Sequence, residues 1–315
     1  MLRLLVCSII LLFTFPSLSS ELYRYQDENG RWVFGDKKSL NRAKINESSV
    51  EKLVIKDTRK KIPRPTFESI KNETKEGWVT TWQLMNPLPV TVQHGLFIKN
   101  GDSMLTSVLA KPYETLLLSP SDYSISADVD IKHYYLIGEP MSKPEGVLIS
   151  PPYSNKKQFF ISQGFNGRFS HTGRGSRYAL DIAMPIGENI LAVKGGIVAD
   201  ARDDFSIGGA ANYFLDKANH VTVMHDDGSY AVYAHILHGS LAVNLAQRVE
   251  QGQVLARIGN TGYSTGPHLH FVIRYNSGKG ALSIPFKLIT EKGARVPKAG
   301  QYYSGRLNQL DEPFE

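Results

Sequence analysis

Apolar and polar residues alternate in short runs along most of this chain, with the period of two expected of strands rather than the helical period. Between residues 77 and 148, the runs "GWVTTWQLMN", "VTVQHGLFI" and "HYYLIGEP" are separated by Asn, Gly, Pro and Ser. Short strands at this close spacing are typical of antiparallel sandwiches. We therefore predict a small antiparallel β-sandwich over residues 76–148. His94 and His133 are expected to be strand or surface histidines without partners.

The alternation is stronger between residues 150 and 290, in "ILAVKGGIVADA", "HVTVMH", "YAVYAHI" and "QVLARIG". None of these runs has the spacing of an amphipathic helix. The pattern predicts an all-β domain over residues 150–290, followed by a polar tail over residues 291–315. The fold class is therefore mostly β, with the larger domain at the C-terminal end.

The first 20 residues have a different pattern. One Arg precedes an apolar run from Leu4 to Phe15, and Pro16 and several serines follow it. This order is typical of a secretory signal, and the run is too short to cross a bilayer comfortably. We predict a signal peptide over residues 1–20, with an uncleaved anchor as the weaker interpretation. No second long apolar run follows, so no transmembrane segment is expected after cleavage.

Two short segments separate the signal from the sandwich. Residues 21–39 contain two strand-like runs around the turn "DENG", which predicts a β-hairpin module. The segment resembles a small module of unknown role that opens many exported Gram-negative proteins. Residues 40–75 are rich in charge and poor in apolar residues, which indicates a linker.

Composition narrows the class of partner. The chain has 315 residues, 42% of them hydrophobic, and a formal net charge of +6, which suits an anionic envelope polymer or membrane surface. No dense Lys/Arg stripe is present, so nucleic acid is not an expected partner. The single cysteine, Cys7, lies in the predicted signal. Any metal bound by the mature chain must therefore have His, Asp or Glu ligands.

The histidines are the candidate chemistry, because seven of the nine fall between residues 171 and 270. Side chains at i and i+2 share one face of a strand. In "PHLHFVIRY", His268 and His270 therefore point one way, opposite an apolar face that faces the core. Two adjacent imidazoles in this arrangement predict a metal or catalytic site.

Other segments offer further members of such a site. In "YAVYAHI", His235 and Tyr233 are expected on one face, lining the same groove. Asp181 interrupts an apolar stretch, and a buried carboxylate is costly without a cationic partner. That partner is either a metal ion or an Arg such as Arg177. Zinc commonly takes three His or carboxylate ligands and one water, although the helical His-Glu-x-x-His motif is absent.

Three motifs together carry a resemblance to a known family. The runs "ALDIAMPIGENI", "YAHI" and "GYSTGPHLHF" resemble the M23 family of zinc metallopeptidases, also called the lysostaphin or LytM type. The last motif is the longest and most specific of the three. The resemblance implies a LytM-type β-sheet domain with a barrel-sandwich-like arrangement.

The resemblance also implies roles for particular residues. Asp181 and His270 correspond to zinc ligands, and His235 and His268 to the catalytic pair. The remaining ligand of the family is normally a His four residues before the Asp, a position held here by Arg177. A guanidinium has no lone pair to offer a metal. We therefore expect His171 to bind Zn²⁺, reached through a loop that contains two glycines.

The predicted function is a zinc-dependent endopeptidase that is exported to the periplasm of a Gram-negative bacterium. It would hydrolyse peptide cross-links of peptidoglycan, with envelope proteins as possible partners. The departure at Arg177 keeps open a non-enzymatic LytM-type protein that binds or activates other cell-wall hydrolases. A carrier protein lipoylated at Lys217, in "LDKA", is a further and weaker alternative.

Overall fold

The computed structural model describes residues 22–26, 30, 32–35, 50–53, 62–75, 77–99, 104–124, 129–141 and 143–305. The predicted signal, residues 1–20, lies outside these ranges. Within them, the only helical elements are two short 3-10 turns, Pro120–Tyr123 and Asn212–Phe214. The prediction of a mostly β fold is confirmed. Over the same ranges, no helix has the length and apolar character needed to cross a membrane.

The N-terminal module is a three-stranded antiparallel sheet. Its strands are β1 (Leu22–Gln26), β2 (Trp32–Gly35) and β3 (Glu51–Leu53), in the order β2-β1-β3. β1 and β2 form the hairpin expected within residues 21–39. The third strand comes from the segment predicted to be a linker, so this part of residues 40–75 extends the module instead.

The next six strands form two three-stranded antiparallel sheets, ordered β4-β5-β8 and β7-β6-β9. Trp82, Leu84 and Leu96 are buried in the core that the two sheets share, as the sandwich prediction requires. The strands are β4 (Thr66–Thr74), β5 (Gly77–Met85), β6 (Val92–Ile98), β7 (Met104–Ala110), β8 (Thr115–Leu118) and β9 (Ile131–Ile137).

β4 also lies in the predicted linker, and the structure differs from the prediction there. Its nine residues pair with β5 along their whole length, while Phe67 packs against the sandwich core. β4 is an edge strand, and most of its other side chains are exposed. Edge strands tolerate charged side chains, so a charge-rich composition does not distinguish this strand from a linker.

The C-terminal domain is built around a nine-stranded sheet. The path β18-β14-β16-β17-β21-β12-β11-β25 contains eight of these strands, and β22 pairs with β21. Smaller pairings join β13 with β19, β15 with β20, β10 with β23, and β23 with β24. The strands are β10 (Leu148–Ile149), β11 (Gln158–Gln163), β12 (Leu180–Ala183), β13 (Asn189–Leu191), β14 (Gly196–Arg202), β15 (Gly208–Gly209), β16 (His220–Met224), β17 (Tyr230–Ala234), β18 (Arg248–Val249), β19 (Val254–Arg257), β20 (Gly262–Tyr263), β21 (His268–Asn276), β22 (Ala281–Ser283), β23 (Lys287–Thr290), β24 (Gly293–Arg295) and β25 (Tyr302–Ser304).

The polar tail predicted from residue 291 is partly structured. β24 pairs with β23, and β25 pairs with the edge strand β11 of the large sheet. Tyr303 is buried, and the hydroxyl of Tyr153 donates to its carbonyl oxygen at 2.7 Å. Burial of Tyr303, this hydrogen bond and the pairing with β11 therefore order a segment that its polar composition did not predict.

Buried polar contacts join the sandwich to the large sheet. Asp200, on β14, accepts from Arg64 at 2.6 Å and lies 3.0 Å from His220 Nε2. Burial raises the pKa of Asp200, but His220 and Arg64 outweigh it and hold this pKa below its usual range. Asn276, at the end of β21, donates to Gln93 of the sandwich at 2.8 Å. The end of β21 away from its two histidines is therefore covered by the sandwich.

A second pair of histidines lies inside the sandwich. His94 on β6 and His133 on β9 come from neighbouring strands, and His94 Nδ1 lies 2.9 Å from His133 Nε2. The two rings stack with centroids 5.1 Å apart. Phe67 in turn stacks on His133, with centroids 6.0 Å apart. The expectation that these histidines lack partners is wrong, because the antiparallel register places them diagonally across the sheet.

Candidate metal and catalytic site

Strand register brings the candidate residues together at one end of β21. Asp181 on β12 lies directly opposite His270, and Ala234 on β17 lies opposite His270 on the other side. His268 follows the alternation and shares the face of His270, while Leu269 and Phe271 are fully buried beneath. The predicted facing of this strand is confirmed.

His171, Asp181 and His270 form a compact set of metal donors. His171 Nε2 lies 3.2 Å and His270 Nδ1 2.8 Å from the same oxygen, Asp181 Oδ1. One ligand atom from each residue lies within 4.8 Å of the others. Tetrahedral zinc with bonds of about 2.1 Å separates its ligand atoms by about 3.4 Å, so the three donors fit this ion.

The loop after β11 delivers His171 rather than Arg177 to the site. His171 is fully buried, and its Nδ1 lies 2.9 Å from the carbonyl oxygen of Gly164. Donation of the Nδ1 proton to this carbonyl leaves Nε2 unprotonated and directed at Asp181. Arg177 is exposed to solvent. Buried Arg274 donates to the carbonyl oxygen of Gly175 at 2.6 Å and so fastens the loop.

Gln163, the last residue of β11, supports the carboxylate. Its Nε2 donates to Asp181 Oδ2 at 2.7 Å, and its Oε1 accepts from the backbone N–H of Phe169 at 3.1 Å. The side chain thus orients Asp181 and also ties down the loop that carries His171. Sequence reasoning missed Gln163, because one polar residue at the end of "FFISQ" carries no signal of such a contact.

His235 and His268 stand beside this set with their ring centroids 4.5 Å apart. His235 Nδ1 lies 2.7 Å from the carbonyl oxygen of Thr261, and His268 Nδ1 lies 2.8 Å from that of Gly266. A carbonyl can only accept, so each Nδ1 carries the proton in the neutral ring and each Nε2 is free to accept one. His268 Nε2 lies 3.7 Å from Asp181 Oδ1.

The protonation states suit both metal binding and proton transfer. Burial and the neighbouring imidazoles of His268 and His270 lower the pKa of His235 to about 3. Burial also lowers the pKa of His270. Burial raises the pKa of Asp181, but the adjoining His171 and His270 outweigh it and hold this pKa below its usual range. Neutral imidazoles beside an ionised carboxylate are the forms that bind zinc.

The chain bends at His235, and one prediction fails there. Tyr233 was expected to line the groove, but it is fully buried and its hydroxyl accepts from the backbone N–H of Val193 at 2.9 Å. β17 ends at Ala234, and His235 adopts a positive φ of 67°. This conformation is uncommon for a residue with a side chain. It breaks the alternation, so Tyr233 faces the core while His235 faces the site.

The lipoyl-carrier alternative finds no support in the local geometry. Lys217 follows the 3-10 turn Asn212–Phe214 instead of standing at the tip of a β-hairpin. Its Nζ pairs with Asp216 at 2.6 Å and lies 4.2 Å from the centroid of the Tyr213 ring. The lysine is therefore engaged along the domain surface.

Sequence profiles match two parts of the chain. Residues 175–281 match Peptidase family M23, and residues 9–66 match a domain of unknown function, DUF4124. The first match contains Asp181, His235, His268 and His270, whereas His171 lies before it. The second match covers the hairpin module and extends beyond it on both sides.

Similar proteins support the first match. An uncharacterised metalloprotease of Buchnera aphidicola is 32% identical over 120 residues, covering 37% of this chain and 29% of that protein. The peptidoglycan DD-endopeptidase ShyC of Vibrio cholerae is 30% identical over 119 residues, covering 37% of this chain and 25% of that protein. The chain thus spans less than a third of the length of these relatives.

Among solved structures, the catalytic domain of lysostaphin from Staphylococcus simulans is 27% identical, with 40% of this chain and 87% of that chain covered and a TM-score of 0.29. The sequence matches and the three quoted motifs fall on the same part of the chain. The C-terminal β domain of this chain is therefore a peptidase family M23 domain.

Proposed function

We propose that this chain is an exported zinc endopeptidase that hydrolyses peptide cross-links of peptidoglycan in a Gram-negative periplasm. One observation carries the proposal. Three donor atoms of His171, Asp181 and His270 converge within 4.8 Å. The imidazoles of His235 and His268, each with Nδ1 facing a backbone carbonyl, lie beside them. A metal set adjoining two free bases is the constellation that metal-assisted hydrolysis requires.

Zn²⁺ bound by His171, Asp181 and His270 would polarise the scissile carbonyl and lower the pKa of a water. Three protein ligands leave the fourth position open for substrate or water, as in other catalytic zinc sites. Gln163 and the carbonyl oxygen of Gly164 hold the carboxylate and the His171 ring in place. Such supporting contacts fix the donor tautomers and strengthen metal affinity.

His235 and His268 supply the proton chemistry. With Nδ1–H held by Thr261, the free Nε2 of His235 accepts a proton from the attacking water and returns it to the leaving amine. His268, held in the same way by Gly266, presents an Nε2 that can take up a proton from solvent. In that form the Nε2–H would donate to the oxygen on which negative charge develops. Burial keeps His235 neutral at pH 7, so it starts the reaction as a base.

The substrate and compartment follow from the similar proteins and the N-terminal pattern. ShyC is named as a peptidoglycan DD-endopeptidase, which supports cross-links of the D,D type over glycine bridges. The signal-like residues 1–20 support export, and the positive net charge suits an anionic wall polymer. The non-enzymatic alternative rests on Arg177, and the convergence of His171 with the other donors supports the enzyme over it.

The test uses the purified mature chain and isolated sacculi. We expect soluble muropeptides to be released, a chelator to stop the release, and one equivalent of Zn²⁺ to restore it. Mass spectrometry of the products identifies the bond. A zinc-loaded chain that releases nothing, but accelerates release by a second hydrolase, would establish the activator alternative and overturn the proposal.

A further inference from the structure

The short strand pair β15–β20 supports residues 261–266, the segment whose backbone carbonyls contact His235 and His268. β20 (Gly262–Tyr263) lies in parallel register with β15 (Gly208–Gly209). Ser264 N–H donates to the carbonyl oxygen of Gly209 at 3.3 Å. A Cβ on Gly208 would lie 2.6 Å from the carbonyl oxygen of Gly262. Only glycine permits this close backbone approach, so β15 fixes the path of residues 261–266.

That same segment carries the acceptors for the histidine protons. Thr261 O lies 2.7 Å from His235 Nδ1, and Gly266 O lies 2.8 Å from His268 Nδ1. Ser264 Oγ lies 3.3 Å from His268 Nδ1 as well. Residues 261–266 therefore set the tautomer and ring orientation of both histidines at once.

The N-terminal module packs onto this support. Phe34 of β2 and Leu53 of β3 contact a small apolar cluster centred on Ala211 and Phe214, and Tyr263 belongs to the same cluster. Ala211 and Phe214 are 1% and 0% exposed. The carbonyl oxygen of Phe34 also lies 3.4 Å from the place a Cβ would occupy on Gly209. The module thus contacts β15 through β2, and it packs through Leu53 against the cluster beside the β15–β20 pair.

Tyr263 links this cluster to the metal-binding loop. Its ring stacks on Phe169 with centroids 6.3 Å apart and an interplanar angle of 22°. Phe169 is two residues before His171. One aromatic ring therefore packs against the cluster that the module contacts and also against the loop of a metal donor.

We propose that the N-terminal module, whose role is unknown, is a positioning element of the peptidase site. By packing Phe34 and Leu53 against the Ala211 and Phe214 cluster beside the β15–β20 pair, it holds residues 261–266 and so orients His235 and His268. The module touches no reacting atom. This inference rests on the proposed function for its catalytic consequence, and on packing alone for its structural one.

The test compares full-length Phe34→Ala and Leu53→Ala with two controls. Glu51→Gln changes an exposed side chain on the strand of Leu53, and Phe34→Leu keeps an apolar side chain at the contact. We expect faster hydrogen exchange at residues 207–214 and 261–266 in the two Ala variants, by about tenfold, with unchanged zinc content. The kcat should fall about tenfold or more with KM within about twofold, since misplaced catalytic groups lose transition-state interactions. Phe34→Leu should restore most of both.

Hydrogen exchange and kcat together distinguish a failure of the proposed function from a failure of the positioning role. If the wild type hydrolyses nothing, the proposed function fails, and hydrogen exchange still decides the packing relation. If the wild type is active and both Ala variants match it in exchange and in kcat, the module has no positioning role. Should Phe34→Ala fail to fold, Leu53→Ala decides alone, and wild-type values of both quantities in that variant overturn the proposal.

Discussion

The molecule holds two groups of buried histidines that differ in what surrounds each ring. In the sandwich, the hydrogen bond described for His94 and His133 joins the two rings to each other, and His94 Nε2 is buried with no hydrogen-bond partner among the described residues. In the peptidase domain, His235 and His268 each donate to a backbone carbonyl, and His268 Nε2 lies 3.7 Å from the carboxylate of Asp181. Both groups come from neighbouring antiparallel strands, so strand register alone does not create a reactive site.

The comparison shows which neighbouring groups allow buried histidines to bind a metal or transfer a proton. A carboxylate stabilises cations and completes a set of metal donors, and backbone carbonyls fix which ring nitrogen is free. The sandwich pair has neither among the described contacts, and burial lowers the pKa of His94 to about 3 and that of His133 to about 4. That pair is a structural element that resists charging. The following predictions break or sharpen this contrast.

The largest effect is expected from His171→Ala, which removes one of three metal donors. A site left with two ligands should lose stoichiometric zinc, and sacculus hydrolysis should fall to background. Arg177→Ala is the matched control on the same loop and should retain zinc and hydrolysis. Metal analysis beside muropeptide release checks both. Full zinc and full activity in His171→Ala would disprove its assignment as a ligand.

His235→Ala and His268→Ala should separate catalysis from metal binding. Each should lower kcat about a hundredfold or more, the usual cost of losing an acid–base or oxyanion group. Zinc content should remain at one per chain, because neither ring belongs to the converging donor set. The measurement is kcat on a soluble cross-linked muropeptide, together with metal analysis. Loss of zinc from either variant would reassign that residue as a ligand.

Gln163→Ala should have a smaller effect that acts through Asp181. Removing a supporting contact of this type typically weakens metal affinity by about 10- to 100-fold. Gln158→Ala, an exposed position on the same strand, should leave the affinity unchanged. Competition with a chromogenic chelator gives the zinc Kd of each variant. Equal affinities would show that the loop holds Asp181 without Gln163.

Much of the site could be predicted from sequence because it depends on periodicity. The alternation in "PHLHFVIRY" places His268 and His270 on one face, and the structure agrees. The prediction of the site failed at strand ends, where the alternation of side chains between two faces stops. Tyr233 was misplaced because the backbone turns at His235, and the contact of Gln163 depends on a loop that returns to its own strand.

The success of the fold prediction also depended on the alternation of apolar and polar residues. Strands with one apolar face were predicted, whereas β4 and β25 were assigned to a linker and a tail because their side chains are mainly polar. Their order comes from backbone pairing and from one or two apolar anchors, Phe67 and Tyr303. Pairing of this kind is a tertiary property, and a local pattern contains little of it.

The smallest predicted effect concerns the sandwich pair and its response to acid. His94 and His133 have folded pKa values below the unfolded value of about 6.5, so the unfolded chain binds more protons below that pH. The contribution of this pair to the free energy of unfolding is therefore present above about pH 6.5 and is lost as the pH falls towards 4. The loss should be about 2 kcal/mol between pH 6.5 and 5 for one histidine that stays neutral when folded.

Urea unfolding followed by tryptophan fluorescence, to which buried Trp82 contributes, measures this loss of stability. The double variant His94→Leu, His133→Leu should flatten the slope, since replacing both partners by apolar groups leaves no buried polar atom unpaired. His238→Gln, at an exposed position, should preserve the slope, and equal slopes in all three proteins would assign the acid response to other groups.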